Sequence, residues 1–184
     1  MTSEVAAPAA AGKRVAEPSQ RDEDGAFQFE PHHCFACGEL NEHGLKLEIH
    51  TDPTGSWIET TLAPRFQGWD SVAHGGIVCT ILDEVMAWAL VGEGDWGLTA
   101  RLSVDFKKTV EVGQPLRADG WVTRSRRRLV DTAGTVVDPR SGTILATATG
   151  VYVAADDERK AELRKRYGST PLADRSTPVT GSAQ

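Results

Sequence analysis

The stretch His74–Leu90, HGGIVCTILDEVMAWAL, decides the fold of this chain. After two glycines its residues are apolar on nearly every side of a helical projection, a pattern typical of a helix that other elements enclose. Two carboxylates, Asp83 and Glu84, interrupt the pattern. Because an unpaired carboxylate in apolar surroundings is strongly destabilised, the helical stripe that holds them must border a cleft, a partner or a counter-charge.

Segments of alternating apolar and polar residues flank this stretch. Two precede it, Leu45–Thr51 and Trp57–Leu62, with a Pro-Thr-Gly turn between them that predicts a hairpin. Four follow it: LTARLSVDFKK, LRADGWVTR, RLVDTAGTVV and TILATATGVYVAA. Six strands and one long helix leave no second helical layer. We therefore predict an α+β fold in which an antiparallel sheet of about six strands wraps around one long central helix, the hotdog architecture.

The composition predicts one folded domain with tails. Of the 184 residues, 40% are hydrophobic and 25% are charged, as in an ordinary globular protein. We predict a disordered N-terminal tail over residues 1–26, because this segment is too polar and too simple to bury a core. The folded domain is predicted over residues 27–155, followed over 156–184 by a short charged helix and a disordered tail.

Charge and hydropathy exclude several classes of protein. A net charge of -6 argues against a broad surface for nucleic acid. No window approaches the roughly 20 apolar residues of a membrane span, and the first residues lack the continuous apolar core of a signal peptide. Three cysteines are too few, and odd in number, for a secreted disulfide framework. We therefore predict a cytoplasmic protein that binds neither nucleic acid nor membrane.

The start of the helix offers a second functional group. The helix is predicted to begin at Gly75 or Gly76, whose backbone N–H groups can stabilise an oxyanion, although a tight turn alone also explains the glycines. Asp83 follows Gly75 by roughly 12 Å along the helix, whereas both groups must lie about 3 Å from the reacting atoms. If they share a site, two helices must pair across a two-fold axis. We therefore predict a homodimer with two interfacial sites.

These residues carry a resemblance to a known family. The stretches CFACGELNEHGLKL, HGGIVCTILDE, LTARLSVDFKKTVEVGQPL and SGTILATATGVYV lie within residues 32–154. They resemble hotdog-fold acyl-CoA thioesterases of the phenylacetate-pathway, PaaI-like type, within the 4-hydroxybenzoyl-CoA thioesterase superfamily. The resemblance implies hydrolysis of an acyl-CoA thioester to a carboxylic acid and free CoA, without a cofactor. Tetramers are common among hotdog proteins, so the sequence leaves open whether the predicted homodimer associates further to a tetramer.

The resemblance also implies roles for single residues. Asp83 matches the catalytic acid, acting either as nucleophile or as general base on water. Gly75 matches the residue whose N–H polarises the carbonyl, and Thr99 matches a residue that helps to position the water or the aspartate. Further substrate contacts are expected from two residues at the helix entrance and one before it, namely His74, Gly76 and Gln67.

Two clusters outside this pattern invite an interpretation. The arginine run at residues 124–128 falls where two strands join; a solvated turn explains it, but Arg126 and Arg128 would also suit the phosphates of CoA. Cys34 and Cys37 form a CxxC with three histidines nearby, His32, His33 and His43. A structural zinc site requires four ligands, and the second pair is missing. Packing of this segment against the barrel mouth is therefore the preferred interpretation and we predict no metal, while metal binding by Cys34 and Cys37 stays open as the alternative.

Two other functions stay open at this point. One is an acyl-CoA-binding hotdog protein without turnover, which the joint presence of Asp83, Gly75 and Thr99 disfavours. The other is a hotdog enoyl-thioester hydratase or dehydratase, which pairs a histidine such as His74 with an acid from a facing helix. The identity of the acyl chain does not follow from the sequence pattern.

Overall fold

A computed structural model describes residues 27–28, 30–167 and 170–171; the predicted terminal tails fall largely outside these residues. The elements in chain order are β1 (Phe27–Gln28), β2 (His50–Asp52), β3 (Gly55–Thr61), a short 3-10 helix (Pro64–Phe66), β4 (Gln67–Trp69), β5 (Val72–Ala73), α1 (Gly75–Gly92), β6 (Gly97–Phe106), β7 (Pro115–Arg126), β8 (Leu129–Asp138), β9 (Thr143–Ala154), α2 (Asp157–Tyr167) and β10 (Thr170–Pro171).

A six-stranded antiparallel sheet forms the body of the domain. Its strands lie in the order β2, β3, β7, β8, β9, β6, so the short β2 and the ten-residue β6 are its two edges. Helix α1 packs across one face, mainly against β7 and β3. This arrangement confirms the predicted fold class, an antiparallel sheet around one long helix.

Helix α1 begins and ends at residues whose local chemistry explains the boundaries. His74 has an extended backbone and caps the first turn, because its Nδ1 accepts a hydrogen bond of 2.9 Å from the N–H of Gly76. Past the last turn Gly94 adopts a φ of 84°, a conformation that glycine allows at a helix end. The buried residues of the helix are Val78, Ile81, Leu82, Val85, Met86, Trp88, Ala89 and Leu90.

The backbone of α1 approaches the sheet closely at β7. A Cβ on Gly120 would lie 2.4 Å from the carbonyl oxygen of Val85, so this position accepts only glycine. The hydroxyl of Ser56, on β3, donates to the same carbonyl. Burial of each large apolar side chain of α1 against the sheet contributes on the order of 1.5–3 kcal/mol. These contacts fix the helix against the sheet and thereby the position of every residue on its other faces.

By length and composition α1 could cross a membrane, contrary to the expectation that no segment approaches a span. The strands enclose much of it, and 44% of the apolar window is buried inside the domain. A helix at the centre of a folded core requires the same apolar composition. The face of α1 that packs against the sheet therefore accounts for part of the hydropathy of the helix.

The first predicted strand, Leu45–Thr51, is shorter than expected, since β2 begins only at His50. Lys46 has a φ of 53°, which interrupts the extended backbone. The N–H of Leu45 donates over 2.8 Å to the carbonyl of Phe35 instead of to a strand of the sheet. Residues 30–47 are called here the N-terminal loop. The alternating residues at its end bond to the loop itself instead of forming a longer strand.

Candidate active site

Asp83 lies in the third turn of α1 and faces β6 and β9. The hydroxyl of Thr99 donates to Asp83 Oδ1 over 2.8 Å, and the hydroxyl of Tyr152 donates to the same oxygen over 2.8 Å. Within the described part of the chain, no hydrogen bond reaches Asp83 Oδ2. One carboxylate oxygen is therefore held in place by two donors, and the other is available to a substrate or a water molecule.

The register of two strands brings these hydroxyls together. Strands β6 and β9 pair antiparallel with Thr99 opposite Tyr152, and α1 crosses both strands. Tyr152 is completely buried. Burial, together with the negative charge of Asp83, raises the pKa of Tyr152, so its hydroxyl remains protonated and can only donate to the carboxylate. The sequence predicted one residue, Thr99, to position Asp83. The structure has two hydroxyl donors there, Thr99 and Tyr152.

Tyr152 is the residue that sequence reasoning missed. It lies 69 positions from Asp83, and periodicity does not report which strands become neighbours. The strand pattern did contain a signal, because Tyr152 occupies an inward position among small residues of β9. A phenol placed inward requires a hydrogen-bond partner, and the acid of the central helix is that partner.

The N-terminus of α1 presents one unengaged donor. Gly75 is the first residue of the helix, and its N–H has no acceptor in the described ranges, as expected for the first turn. The next N–H, that of Gly76, is engaged by the side chain of His74. The nearest atoms to a Cβ built on Gly75 belong to the ring of Phe106, at 3.5 Å, an ordinary contact. The fold of a single chain therefore does not require glycine at position 75.

Gly75 and Asp83 lie near opposite ends of β6. Gly75 lies beside Phe106, whereas Asp83 is bonded to Thr99, seven positions earlier on the same strand. At about 3.3 Å per strand residue, those two strand positions are roughly 20 Å apart. One chain does not bring the two predicted catalytic groups together, in agreement with the spacing along the helix.

Two predicted substrate residues lie beside the helix start. His74 accepts at Nδ1, so the proton of its neutral ring is on Nε2, which remains a donor. Gln67 begins β4 and is exposed, and its side-chain oxygen accepts from the N–H of Ser71 over 3.3 Å. Both side chains are thus at the Gly75 end of the fold, separate from Asp83.

The two predicted arginines lie where β7 turns into β8: Arg126 is the last residue of β7, and Arg128 lies in the turn that follows. Arg126 forms an ion pair of 2.7 Å with Asp131, and the Nε of Arg128 donates to the carbonyl of Ala154 over 3.2 Å. The sheet register puts this turn two strands from β6, at the end that carries Thr99. The arginines therefore lie at the Asp83 end of the sheet rather than at the Gly75 end.

Glu84 points away from Asp83, toward the N-terminal loop. Its Oε1 accepts from the indole N–H of Trp88 over 2.8 Å. Its carboxylate and the sulfurs of Cys34 and Cys37 lie within 4.8 Å of one another. Burial raises the pKa of Glu84 to about 7, and the charge of Cys34 contributes to the shift. The sequence assigned no role to Glu84 and did not connect it with the CxxC.

The two thiols of this cluster differ. A hydrogen bond from Cys37 and the backbone N–H groups of the turn lower the pKa of Cys34 to about 5 despite partial burial. The hydrogen bond to Cys34 and burial raise the pKa of Cys37. In this pair Cys37 is therefore the hydrogen-bond donor and Cys34 the acceptor. Cys79, on α1, is half-buried and apart from them.

The sheet, its strand order and its central helix define the hotdog fold. A family model described as the thioesterase superfamily matches residues 70–145, the segment from the turn before α1 to the start of β9. The match includes Gly75, Asp83 and Thr99 and ends before Tyr152. The resemblance to hotdog-fold thioesterases that the sequence predicted agrees with this match over part of the chain and with solved structures that share the fold, the PaaI protein among them.

Three solved proteins illustrate that likeness. A thioesterase superfamily protein is 24% identical, with a TM-score of 0.62 over 66% of this chain and 63% of that longer one. A hypothetical thioesterase from Streptococcus pneumoniae, solved with coenzyme A, is 18% identical, with a TM-score of 0.56 over 59% and 85%. The Escherichia coli PaaI protein of the phenylacetic acid degradation operon is 18% identical, with 0.56 over 59% and 83%. No curated protein sequence matches the chain.

Proposed function

We propose that this protein is an acyl-CoA thioesterase, which hydrolyses a thioester to a carboxylic acid and free CoA. The superfamily match and a similar structure with bound coenzyme A support thioester chemistry in general. The observation that carries the proposal is the Asp83 carboxylate, whose Oδ1 is held by two hydroxyls while Oδ2 is unengaged. An oriented carboxylate and a backbone N–H suffice for this hydrolysis, so no cofactor is needed.

A second comparison supports the pairing of an aspartate with a threonine. The Streptococcus pneumoniae protein was also solved as two variants, in which alanine replaces an aspartate and a threonine sixteen positions after it. The same interval separates Asp83 from Thr99 in this chain, where the two side chains are hydrogen-bonded. We infer that this pair acts as a unit here.

Asp83 Oδ2 supports either of two routes. In one it removes a proton from water, and the water oxygen attacks the carbonyl carbon of the thioester. In the other it attacks that carbon itself and forms an acyl-aspartyl anhydride, which water then hydrolyses. In both, the carbon–sulfur bond breaks and CoA leaves as a thiolate that takes up a proton. Mass spectrometry of the protein during turnover distinguishes them, because only the second route adds an acyl group to Asp83.

The oxyanion donor in this proposal is the N–H of Gly75 from a second copy of the chain. Strand β6 is an edge of the sheet and exposes Leu98 (81%) and Phe106 (53%), so it can pair with another strand. If two β6 strands pair antiparallel about a two-fold axis, the Phe106 end of one copy lies beside the Thr99 end of the other. Gly75 of one chain then approaches Asp83 of its partner, in a homodimer that can associate further to a tetramer.

The remaining predicted residues are assigned to substrate binding. His74 and Gln67 are proposed to contact the thioester beside Gly75. Gly76 contributes by its lack of a side chain, since a Cβ there would lie only 3.0 Å from the ring of His74. Arg126 and Arg128 are proposed to bind phosphate groups of CoA. The cysteines of the described chain are free thiols, which suits a reducing cytoplasm, where acyl-CoA is available.

The direct test is thiol release from a panel of aliphatic and aromatic acyl-CoA substrates. The wild type is expected to turn over at least one of them, and Asp83→Ala is expected to lose about a thousandfold in rate. Equal rates for the two proteins contradict the proposal. Tight acyl-CoA binding without hydrolysis by the wild type identifies a binding protein instead, and hydration of an enoyl-CoA identifies a hydratase.

A further inference from the structure

A second cluster of reactive groups lies beside the face of α1 that carries Glu84, next to the face that carries Asp83. Cys34 and Cys37 come from the N-terminal loop and Glu84 from the helix, and their sulfur and oxygen atoms are mutually within 4.8 Å. A tetrahedral zinc site with zinc–sulfur bonds of about 2.3 Å has sulfurs about 3.8 Å apart. A contraction of at most about an ångström therefore places all three atoms around one ion.

The charges of this cluster favour a cation. Two thiols and a carboxylate are all anionic when deprotonated, and in the described chain no lysine or arginine forms an ion pair with Glu84. Thiolate is a soft ligand and is typical of sites that select Zn²⁺, and a carboxylate oxygen completes such sites. A divalent ion would replace the protons that the three groups otherwise share.

The surroundings hold two of the ligands in place. The indole N–H of Trp88 donates to Glu84 Oε1, the kind of outer hydrogen bond that orients a ligating carboxylate. The CxxC turn is closed by a hydrogen bond of 3.0 Å from the N–H of Gly38 to the carbonyl of Cys34. A Cβ on Gly38 would lie 2.4 Å from the backbone nitrogen of Cys34, so the turn requires glycine after the second cysteine.

We propose that Cys34, Cys37 and Glu84 bind one Zn²⁺ ion, with water in the fourth position, and that this ion joins the N-terminal loop to the central helix. The prediction of no metal rested on a missing second pair of ligands; the fold supplies a third ligand from α1, and this inference replaces that prediction. The ion has a structural role and does not touch Asp83. The proposal is independent of the thioesterase reaction.

The test is metal binding by the full chain under reducing conditions. The wild type, incubated with Zn²⁺ and freed of excess, is expected to retain about one ion per chain by elemental analysis. With Co²⁺ it is expected to show the near-ultraviolet band of a thiolate–cobalt bond. Cys34→Ser, at an exposed position, is expected to lose both signals. Glu84→Gln keeps the shape and an acceptor for Trp88 and is expected to weaken binding at least tenfold.

Cys79→Ser is the matched control, because Cys79 lies outside the cluster and should leave both signals unchanged. The proposal is overturned if the wild type retains no more Zn²⁺ than Cys34→Ser does, or if Cys79→Ser loses as much. A disulfide between Cys34 and Cys37 that forms in the presence of Zn²⁺ and excludes the ion also overturns it. If Glu84→Gln binds Zn²⁺ with unchanged affinity, α1 supplies no ligand. That result contradicts the proposed link between loop and helix.

Discussion

Asp83 and Glu84 are adjacent on α1, yet their surroundings differ. Asp83 faces the strands β6 and β9, where two hydroxyls donate to one of its oxygens. Glu84 faces the N-terminal loop, where it is half-buried beside two sulfurs and one indole N–H. Hydroxyl donors orient a carboxylate and leave it reactive at one oxygen, whereas sulfur neighbours of like charge favour a shared proton or a metal ion.

The difference shows how one helix serves two purposes. Successive residues of a helix are about 100° apart, so neighbouring side chains enter separate environments. The face of Asp83 lies toward the edge strand β6, where the proposed second copy would add the N–H of Gly75. The face of Glu84 is covered by a loop of the same chain. We therefore expect chemistry on the first face and stabilisation on the second.

Replacement of each carboxylate by its isosteric amide is expected to give the largest difference in activity between the two positions. Asp83→Asn keeps the shape but removes the basic oxygen, so kcat/KM for acyl-CoA is expected to fall about a thousandfold. Glu84→Gln is expected to change kcat/KM by less than about threefold, because Glu84 contacts no reacting atom. Steady-state kinetics of both variants measure the difference. A comparable loss in the two would show that the faces do not have separate roles.

The helix start gives the next largest effect. Proline is tolerated at the first helical position and requires an extended residue before it, which His74 is, with φ of -61° and ψ of 133°. Gly75→Pro therefore removes the proposed oxyanion N–H without breaking the helix, and kcat is expected to fall about a hundredfold. Gly75→Ala keeps the N–H and should retain most of the activity. If alanine and proline are equally harmful, the loss comes from bulk and not from the donor.

Removal of one hydroxyl tests whether Tyr152 and Thr99 orient the Asp83 carboxylate. Tyr152→Phe fills the same buried space and deletes one of the two donors to Oδ1, so kcat is expected to fall about tenfold with little change in KM. Thr99→Val is expected to act similarly, while Thr99→Ser, which keeps the hydroxyl, should remain near the wild type. A Tyr152→Phe protein with lower thermal stability but unchanged kcat would assign the tyrosine to the core alone.

The smallest effect on activity is expected on the Glu84 face. A chelator should lower the thermal midpoint of the zinc-loaded protein by several degrees, because the ion binds only the folded loop and helix. It should alter kcat by less than about twofold. Cys34→Ser provides the control, since its midpoint should not respond to the chelator. A large loss of kcat on chelation would place the ion in the reaction and contradict its structural role.

The fold was largely predictable because its determinants are periodic. Alternation along the strands and the apolar surround of α1 predict six strands and one enclosed helix, and both are observed. The exception is Leu45–Thr51, where a left-handed residue and hydrogen bonds to the N-terminal loop replace most of the strand. Periodicity records which side chains are apolar but not whether the backbone between them finds a strand partner.

The site was predictable only in part. Asp83 could be singled out because a carboxylate in an apolar helix requires a reason, and Gly75 because a helix start offers free N–H groups; Thr99 followed from the resemblance. Tyr152 and the Glu84 cluster could not be found, because each depends on residues that are distant in sequence and adjacent only in the fold. The separation of Asp83 from Tyr152, at 69 positions, is set by strand register, which no local pattern encodes.

The most direct test of the central claim, that each site combines Asp83 of one chain with Gly75 of another, is to mix two inactive variants. Chains with Asp83→Asn and chains with Gly75→Pro are unfolded together, refolded and assayed. A shared site predicts that about a quarter of wild-type activity returns, since half of the dimers are mixed and each mixed dimer has one intact site. If the mixture stays as inactive as either parent, the two groups do not act across an interface and the account is wrong.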